Sequence, residues 1–368
     1  MATYPLLAPS AELRKELKRR GGATASRCFQ CATCSGVCEL APDDSPFPRR
    51  QMLLAQWGQI DVLAADPAVW LCYQCNDCTV RCPRDARPGD VLQALRSLVI
   101  ERLAAPRFLG RLTANARVTW PVLLGFPLLF WMVLLWATGH LAAPPEITAY
   151  EQVVPHWIIY SVFFPLTALV LLAAWVSGRR FWTLLGSTGP TRHGSFLRSL
   201  GPVLVEIAAH RRFAKCEAAR PRRWGHFMLL WGFVGAAVTS GLLVVALYGF
   251  HIEMPLPLGH PVKILGNISA VLLVAGGTIV AVQRFTRPAV AGGTTAFDTF
   301  FVSVVVLVIA TGVAAEGARL LGAPGEAAAA VYIVHLTAVF TLFGTFPYSK
   351  FAHMLYRTLA LMHERMTC

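Results

Sequence analysis

The sequence contains little charge, and acidic residues are the scarcer of its charged types. Charged residues make up 14% of the 368 residues, against about 25% in an average soluble domain. Hydrophobic residues reach 55% and the mean hydropathy is +0.52, so the composition excludes an ordinary soluble globular protein. In such an apolar chain the formal net charge of +13 indicates the orientation of loops in a membrane, and we expect no nucleic-acid partner.

Two common signals are missing as well. The N-terminus has neither the apolar core nor the cleavage site of a secretory signal peptide, so we expect the first part of the chain to stay in the cytoplasm. The sequence has no G-x-G-x-x-G motif between a strand and a helix, so it does not indicate a flavin-binding or nucleotide-binding domain in this chain.

Cysteine is scarce after residue 118, where only Cys216 and Cys368 occur. In a reducing compartment, the other eight cysteines are expected to hold a cofactor rather than form disulfides.

Long apolar runs begin only at residue 120. Each of six runs is long enough for a helix of roughly 20 residues to cross the hydrocarbon core of a bilayer. We therefore predict an all-α fold with a small helical domain over 1–118 and a six-helix transmembrane bundle over 119–368. The predicted spans are 120–142, 157–177, 226–249, 264–283, 299–321 and 329–349.

Short helices are predicted within the first domain. Ser10 is placed to cap a helix, a second helix follows Pro48, and a third, amphipathic helix begins at Asp90.

The segment 178–223 is strongly basic, with ten Lys or Arg residues against Glu206 and Glu217. The loops 144–156 and 322–328 contain no Lys or Arg. Because basic loops stay on the cytoplasmic side, we expect both termini of this six-span chain to be cytoplasmic, in the cytoplasmic (inner) membrane. A docking surface for a partner is the alternative interpretation of the basic segment.

The cysteines form two copies of C-x2-C-x2-C-x3-C, offset by 44 residues. In two-cluster ferredoxins with this spacing, three cysteines of one run and the fourth of the other bind one [4Fe–4S] cluster. Zinc is the alternative, although its sites usually pair two separate C-x2-C knuckles. The predicted iron ligands are Cys28, Cys31, Cys34 and Cys82 for cluster 1, and Cys72, Cys75, Cys78 and Cys38 for cluster 2.

Histidines near the membrane helices are candidate axial ligands of haem iron. His335 and His353 are 18 residues apart, which on one continuous helix gives a shared face and a separation of about 27 Å along the axis. His226 opens the third predicted span at the depth of His353. We expect His226 and His353 to bind a proximal haem b near the cytoplasmic surface; interfacial residues without haem are the alternative.

We expect His335 to bind a distal haem b, but the sequence does not decide which residue is its second axial ligand. A protein with only one haem is the alternative. Lys263, one turn after His260, is placed either to donate a hydrogen bond to a quinone carbonyl or to extend toward the membrane interface. The candidate distal ligands are His260 first and His156 second, with His140 and His251 as further choices.

Both parts of the chain resemble known families. The runs CFQCATCSGVCE and CYQCNDCTVRCP resemble the iron–sulfur C subunit of heterodisulfide reductases, and HLTAVFTLFGTFPYSKFAH resembles the last helix of the cytochrome b gamma subunit of respiratory nitrate reductases. A chain with both parts is similar to the C subunit of the quinone-interacting membrane-bound oxidoreductase complexes of sulfate reducers and sulfur oxidisers.

The resemblance implies a two-cluster ferredoxin domain followed by a six-helix transmembrane cytochrome b bundle. In the gamma-subunit pattern His226 and His353 bind the proximal haem, His335 binds the distal haem, and Lys263 takes the place of a quinol-site lysine. The pattern departs at Ala236, where the gamma subunits have their other distal ligand.

The function implied is that of a membrane anchor and oxidoreductase subunit that acts within a complex. Electrons would pass between quinone or menaquinone, two haems b, two [4Fe–4S] clusters and soluble flavin and iron–sulfur subunits, coupled to adenylylsulfate reductase in dissimilatory sulfur metabolism. The alternatives are the equivalent subunit of a heterodisulfide or sulfite reductase-linked complex, and a membrane redox sensor or structural anchor.

Overall fold

The computed structural model describes residues 8–188, 191–216, 219–286 and 292–367. Within these ranges the chain is mostly helical and forms no β-strand, which confirms the predicted all-α fold. The first part contains α1 (Ala11–Leu17), α2 (Thr33–Gly36), α3 (Arg49–Gln56), α4 (Ile60–Ala64), α5 (Ala68–Leu71), α6 (Asp77–Val80), α7 (Pro88–Leu103) and α8 (Arg107–Ala114).

Six helices in the described ranges are long and apolar enough to cross a membrane, as predicted. Their surfaces carry exposed apolar side chains such as Leu169, Leu172 and Val271, as expected for contact with lipid. They are α9 (Ala116–Ala137), α10 (His156–Thr188), α12 (Arg220–Gly249), α13 (Pro261–Thr286), α14 (Ala296–Leu320) and α15 (Gly325–Gly344), and two further helices, α11 (Phe196–Ala208) and α16 (His353–Thr367), lie outside the spans.

The cysteine-rich part is built around α7. Two of its predicted short helices form where expected: the Ser10 hydroxyl caps α1, and α3 follows Pro48. The third predicted helix also forms, as α7, which begins two residues before Asp90. Its predicted amphipathic character was wrong, because α7 is buried on nearly all sides up to Ile100. Short helices cover one side of α7, and the membrane part covers the other.

The last predicted span, 329–349, was placed too far along the chain, beginning four residues and ending five residues after the observed helix. Helix α15 ends at Gly344, and Pro347 follows in a turn, where its ring disfavours continuation of the helix. A short 3-10 turn, Lys350–Ala352, then leads into α16 at His353. The prediction that His335 and His353 share one face of a continuous helix was therefore wrong, because they lie on separate helices.

The basic segment 178–223 is also more structured than the sequence indicates. Helix α10 continues to Thr188, and α11 packs along α16. Arg212 forms ion pairs with Glu206, at 2.7 Å, and with Glu364, at 2.5 Å. At least one basic residue of this segment therefore forms ion pairs within the protein.

The spans α12 and α13 make the most extensive helix contact of the bundle. A Cβ atom at Gly276 would lie 2.6 Å from the backbone oxygen of Gly225, and one at Gly232 would lie 2.8 Å from the Leu273 side chain. Small residues at these positions let the two backbones approach closely.

One apolar core joins the cysteine-rich part to the proximal end of the bundle, the end at which α10 stops and α12 begins. At its centre Trp70 of α5 is completely buried. Its ring lies 4.8 Å from that of Tyr356 in α16 and 6.0 Å from that of Phe181 in α10. The two parts of the chain are therefore packed on each other as one body at this end.

Replacing Trp70 by Ala should destabilise the protein by about 3–5 kcal/mol, because it leaves a cavity where three elements meet. Trp57→Ala is the control, since the Trp57 side chain is 41% exposed and surface substitutions usually stay within about 0.5 kcal/mol. The thermal unfolding midpoints of both variants in detergent give the comparison. Equal midpoints would show that Trp70 does not hold the two parts together.

Candidate functional site

The eight clustered cysteines lie around two cavities in the cysteine-rich part. Each cavity receives three cysteines of one run and the last cysteine of the other. Cavity 1 is lined by Cys28, Cys31, Cys34 and Cys82, and cavity 2 by Cys72, Cys75, Cys78 and Cys38.

The two runs fold alike, so that the sequence repeat is also a repeat of local structure. Gln30 and Gln74, 44 residues apart, both have positive φ, at 61° and 52°. Each donates its backbone N–H to the sulfur of the cysteine two residues before it, at 3.4 Å to Cys28 and 3.3 Å to Cys72. The backbone amides therefore point at sulfur atoms, which stabilises thiolates.

The cavities differ in their exposure to solvent. Cys31 at cavity 1 is exposed, whereas Cys72 and Cys78 at cavity 2 are buried. Burial raises the pKa of Cys34 and of Cys38 to about 11, so these thiols would ionise at neutral pH only with a cation to compensate them. The donor set fits iron–sulfur clusters, with the cluster of cavity 1 nearer the surface.

Three arginines bind the backbone of the second cysteine run. Arg96 and Arg357 donate to the carbonyl oxygen of Cys72 at 2.6 and 2.9 Å, and Arg222 donates to that of Gln74. Burial lowers the pKa of Arg357 to about 10, so it is still charged at neutral pH. These guanidinium groups give cavity 2 positive surroundings, which favour an anionic group there.

His226 and His353, which the sequence predicted to lie near each other, meet beside this arginine group. Their ring centroids are 6.1 Å apart, close to the roughly 6 Å expected when two imidazoles bind one metal ion at about 2 Å each. The Nδ1 atom of His353 pairs with the carbonyl oxygen of Lys350, and that of His226 pairs with Nε2 of His210 at 2.8 Å. Both residues thus keep Nε2 for a metal, the arrangement common in metal-bound histidines.

Burial, with the nearby Arg357 guanidinium, lowers the pKa of His353 to about 3. The ring is consequently neutral at physiological pH, as an axial ligand must be.

His210 and His363 are two buried histidines that the sequence analysis did not select, because one follows a helix in a loop region and the other lies near the C-terminus. His210 is 4% exposed and His363 is 1% exposed. The backbone of His210 turns with φ at 52° just after α11, and its ring then lies against that of His226. Arg192 donates to Nδ1 of His363 at 2.9 Å. Nothing in the local sequence pattern signals either contact.

At the other end of the bundle the candidate ligands of the distal haem do not form a histidine pair like that of His226 and His353. Thr311 of α14 lies 3.0 Å from Nδ1 of His335. The ring of His156 pairs with Glu151 at 3.1 Å, and Nδ1 of His260 accepts from the backbone of Val262 at 3.3 Å. In the part of the chain that the structure describes, no second imidazole ring packs on His335.

Lys263 is engaged by an acidic partner that the sequence did not indicate. Its ammonium group lies 2.7 Å from the carboxylate of Glu316 in α14, which Arg319 also contacts at 2.8 Å. Lys263 therefore belongs to a three-residue ion-pair group between α13 and α14.

Comparison with known proteins now identifies the two parts. Residues 106–367, well over half of the chain, match the family model of citrate utilization protein B. The chain belongs to the citrate utilization protein B family. Residues 24–86 match the 4Fe-4S dicluster domain, so this member of the family is an iron–sulfur electron-transfer protein.

Relatives match either the whole chain or the dicluster domain. Citrate utilization protein B of Escherichia coli is 27% identical over 358 residues, which cover 91% of this chain and 88% of the relative. The C subunit of the H(2):CoB-CoM heterodisulfide,ferredoxin reductase of Methanothermobacter thermautotrophicus is 37% identical over 87 residues, 23% of this chain and 46% of the relative. The C subunit of the ferredoxin:CoB-CoM heterodisulfide reductase of Methanosarcina mazei is 38% identical over 93 residues, 25% of this chain and 56% of the relative.

The chain therefore spans about half the length of these two heterodisulfide reductase subunits. The predicted resemblance to them is confirmed for the dicluster domain, whereas the similarity to a quinone-interacting complex stays a prediction. No solved structure matches the chain.

Gly89→Ala should disturb cavity 2, because a Cβ atom there would lie 1.9 Å from Oδ1 of Asn76 in the second cysteine run. We expect loss of up to about half of the bound iron, as one of two four-iron clusters is affected. Gly36→Ala is the matched control in the first run, where an added Cβ meets nothing within 4 Å. Iron per purified chain is the measurement, and equal iron in both variants would contradict the packing described.

Proposed function

We propose that this chain is a membrane electron-transfer subunit that relays electrons between quinone or menaquinone and two [4Fe–4S] clusters by way of haem b. When bound, each haem and each cluster would accept and release single electrons. The observation that carries the proposal is the pairing of His226 and His353, at 6.1 Å between ring centroids, beside cavity 2. It supports a haem next to the buried end of an iron–sulfur pair.

The proposed cluster ligands are the eight cysteines in their two groups. The grouping around cavities 1 and 2 supports the crossed ligand pattern of two-cluster ferredoxins. Because cavity 1 has the exposed Cys31, we propose that cluster 1 exchanges electrons with soluble partners and that cluster 2 faces the membrane part.

Two arginines support a connection between the proximal haem ligands and cluster 2. Arg357 lies four residues after His353, and Arg222 lies four residues before His226, a distance of about 6 Å along a helix axis. Each arginine binds a backbone carbonyl of the second cysteine run, at Cys72 and at Gln74. The arginines therefore fix both histidine-bearing helices to the loop that carries the cysteines of cavity 2.

At the far end we propose a distal haem b at His335, with His260 or His156 as the other ligand. The hydrogen-bond partner of its Nδ1, Thr311, supports a free Nε2. We propose that Lys263 and Glu316 together form part of the quinone site. The ammonium group of Lys263 would bind a quinone oxygen, and the Glu316 carboxylate would take one of the two protons that quinol oxidation releases, the other passing to solvent.

For the partners we propose soluble flavin and iron–sulfur subunits on the cytoplasmic side of the inner membrane. The heterodisulfide reductase relatives are named as subunits, which supports a role within a complex. Coupling to adenylylsulfate reductase, as in quinone-interacting complexes, is the first candidate pathway.

A second candidate is favoured by the whole-length similarity to citrate utilization protein B of Escherichia coli. In that case the soluble partner would be an oxidoreductase of citrate use. Affinity purification of the tagged chain from its own membranes, followed by identification of co-purified flavoproteins, separates the two. Recovery of adenylylsulfate reductase would exclude the second candidate, and recovery of a carboxylate-oxidising flavoprotein would exclude the first.

His353→Ala should remove the proximal haem, because one imidazole would be left where two are needed. We expect the haem content to fall by about one per chain, measured from the optical spectrum and from iron that is not in clusters. His193→Ala is the control, since His193 is exposed and belongs to neither proposed haem site. Unchanged haem in His353→Ala would contradict the assignment.

Cys34→Ser and Cys75→Ser should each remove a different cluster. We expect the iron in clusters to fall from about eight to about four per chain in both variants, with a different EPR signal missing in each. Loss of the same signal from both variants would contradict the proposed grouping.

A further inference from the structure

A fifth cysteine lines cavity 2 and comes from the membrane part of the chain. Cys216 follows the 3-10 turn Arg212–Lys215, between α11 and α12, and is 2% exposed. It lines cavity 2 together with Cys38, Cys72, Cys75 and Cys78. Its sulfur, the sulfur of Cys75 and a carboxylate oxygen of Asp77 all lie within 4.8 Å of one another.

Comparison of the two runs shows what Cys216 adds. Cys31 and Cys75 are equivalent positions of the repeat, 44 residues apart. Beside Cys31 the hydroxyl of Thr33 lies 3.4 Å from the sulfur and is placed to donate to it. The residue equivalent to Thr33 is Asp77, whose side chain ends in a carboxyl group instead of an alcohol hydroxyl. In the second run, therefore, an acidic side chain takes the position of the local hydroxyl donor.

Contacts on both sides hold Cys216 at this place. Its backbone N–H donates to the carbonyl oxygen of Phe213 at 3.2 Å, and the Phe213 ring lies 5.5 Å from that of Tyr73. Beyond Cys216, Arg222 donates to the carbonyl oxygen of Gln74. The segment that carries Cys216 is thus fixed against the second cysteine run at two points.

We propose that Cys216 is not an iron ligand but donates an S–H hydrogen bond to the Cys75 thiolate, in the role that Thr33 has at Cys31. The inference rests on the proposed clusters, but not on the haems or the quinone. Four cysteines of the repeat complete the coordination of one cubane, and hydrogen bonds to cluster sulfur atoms are among the factors that set its potential. Cys216 therefore raises the midpoint potential of cluster 2 and supplies the hydrogen bond that Thr33 gives to Cys31.

The test compares Cys216→Ala with Cys216→Ser in the full-length purified protein. In Cys216→Ala we expect full iron content and a lower midpoint potential for one EPR signal only, the signal that Cys75→Ser removes. Cys216→Ser keeps a donor and should recover part or all of the shift. Thr33→Val is the matched variant, which should lower the potential of the other signal alone.

Three results would overturn the proposal: loss of about four iron atoms from both Cys216 variants, which would make Cys216 a ligand; unchanged potentials in Cys216→Ala; or equal shifts in Cys216→Ala and Cys216→Ser. Failure of the proposed clusters themselves would appear separately, as the absence of two cubane signals from the unmodified protein.

Discussion

The structure depends on the attachment of the second cysteine run to the proximal end of the membrane bundle. Arg96 and Arg357, from different parts of the chain, both donate to the carbonyl oxygen of Cys72, and Trp70 packs beneath them against Tyr356. Burial of a guanidinium group costs free energy unless the group is hydrogen-bonded or paired. These contacts therefore stabilise the fold only when the cysteine-rich part is packed on the membrane part. The same contacts set the positions of cavity 2 and of the His226–His353 pair.

A polar contact on the other side of α7 adds to this attachment. The carboxylate of Asp298, 1% exposed at the start of α14, accepts from Gln93 and lies 2.8 Å from the ammonium of Lys350. The carbonyl oxygen of Lys350 in turn pairs with Nδ1 of His353. One buried carboxylate thus connects the cysteine-rich part, a membrane helix and a candidate haem ligand, and a charge-changing substitution there would affect all three.

Much of this arrangement could be predicted from the sequence where the signal is local. Apolar runs long enough to cross a bilayer as helices predicted the six spans. The spacing of the cysteine repeat indicated the candidate cluster ligands, and the places of His226 and His353 at the ends of predicted spans made them candidate haem ligands. The break at Pro347 was overlooked because the apolar pattern continues through it. The positions of Cys216 beside Cys75 and of His210 beside His226 could not be predicted. Tertiary packing brings these residues together, and the local sequence around Cys216 and His210 does not indicate it.

We propose that haem bound in the membrane bundle and the two clusters form one electron path. The most direct measurement is to reduce the purified protein anaerobically, add an excess of a menaquinone analogue, and follow the haem spectrum and both cubane EPR signals in time. We expect the haem and both clusters to be reoxidised, and the clusters to remain reduced when His353 is replaced. Reoxidation of the clusters at an unchanged rate without the proximal haem ligand, or a protein that contains no haem, would contradict it.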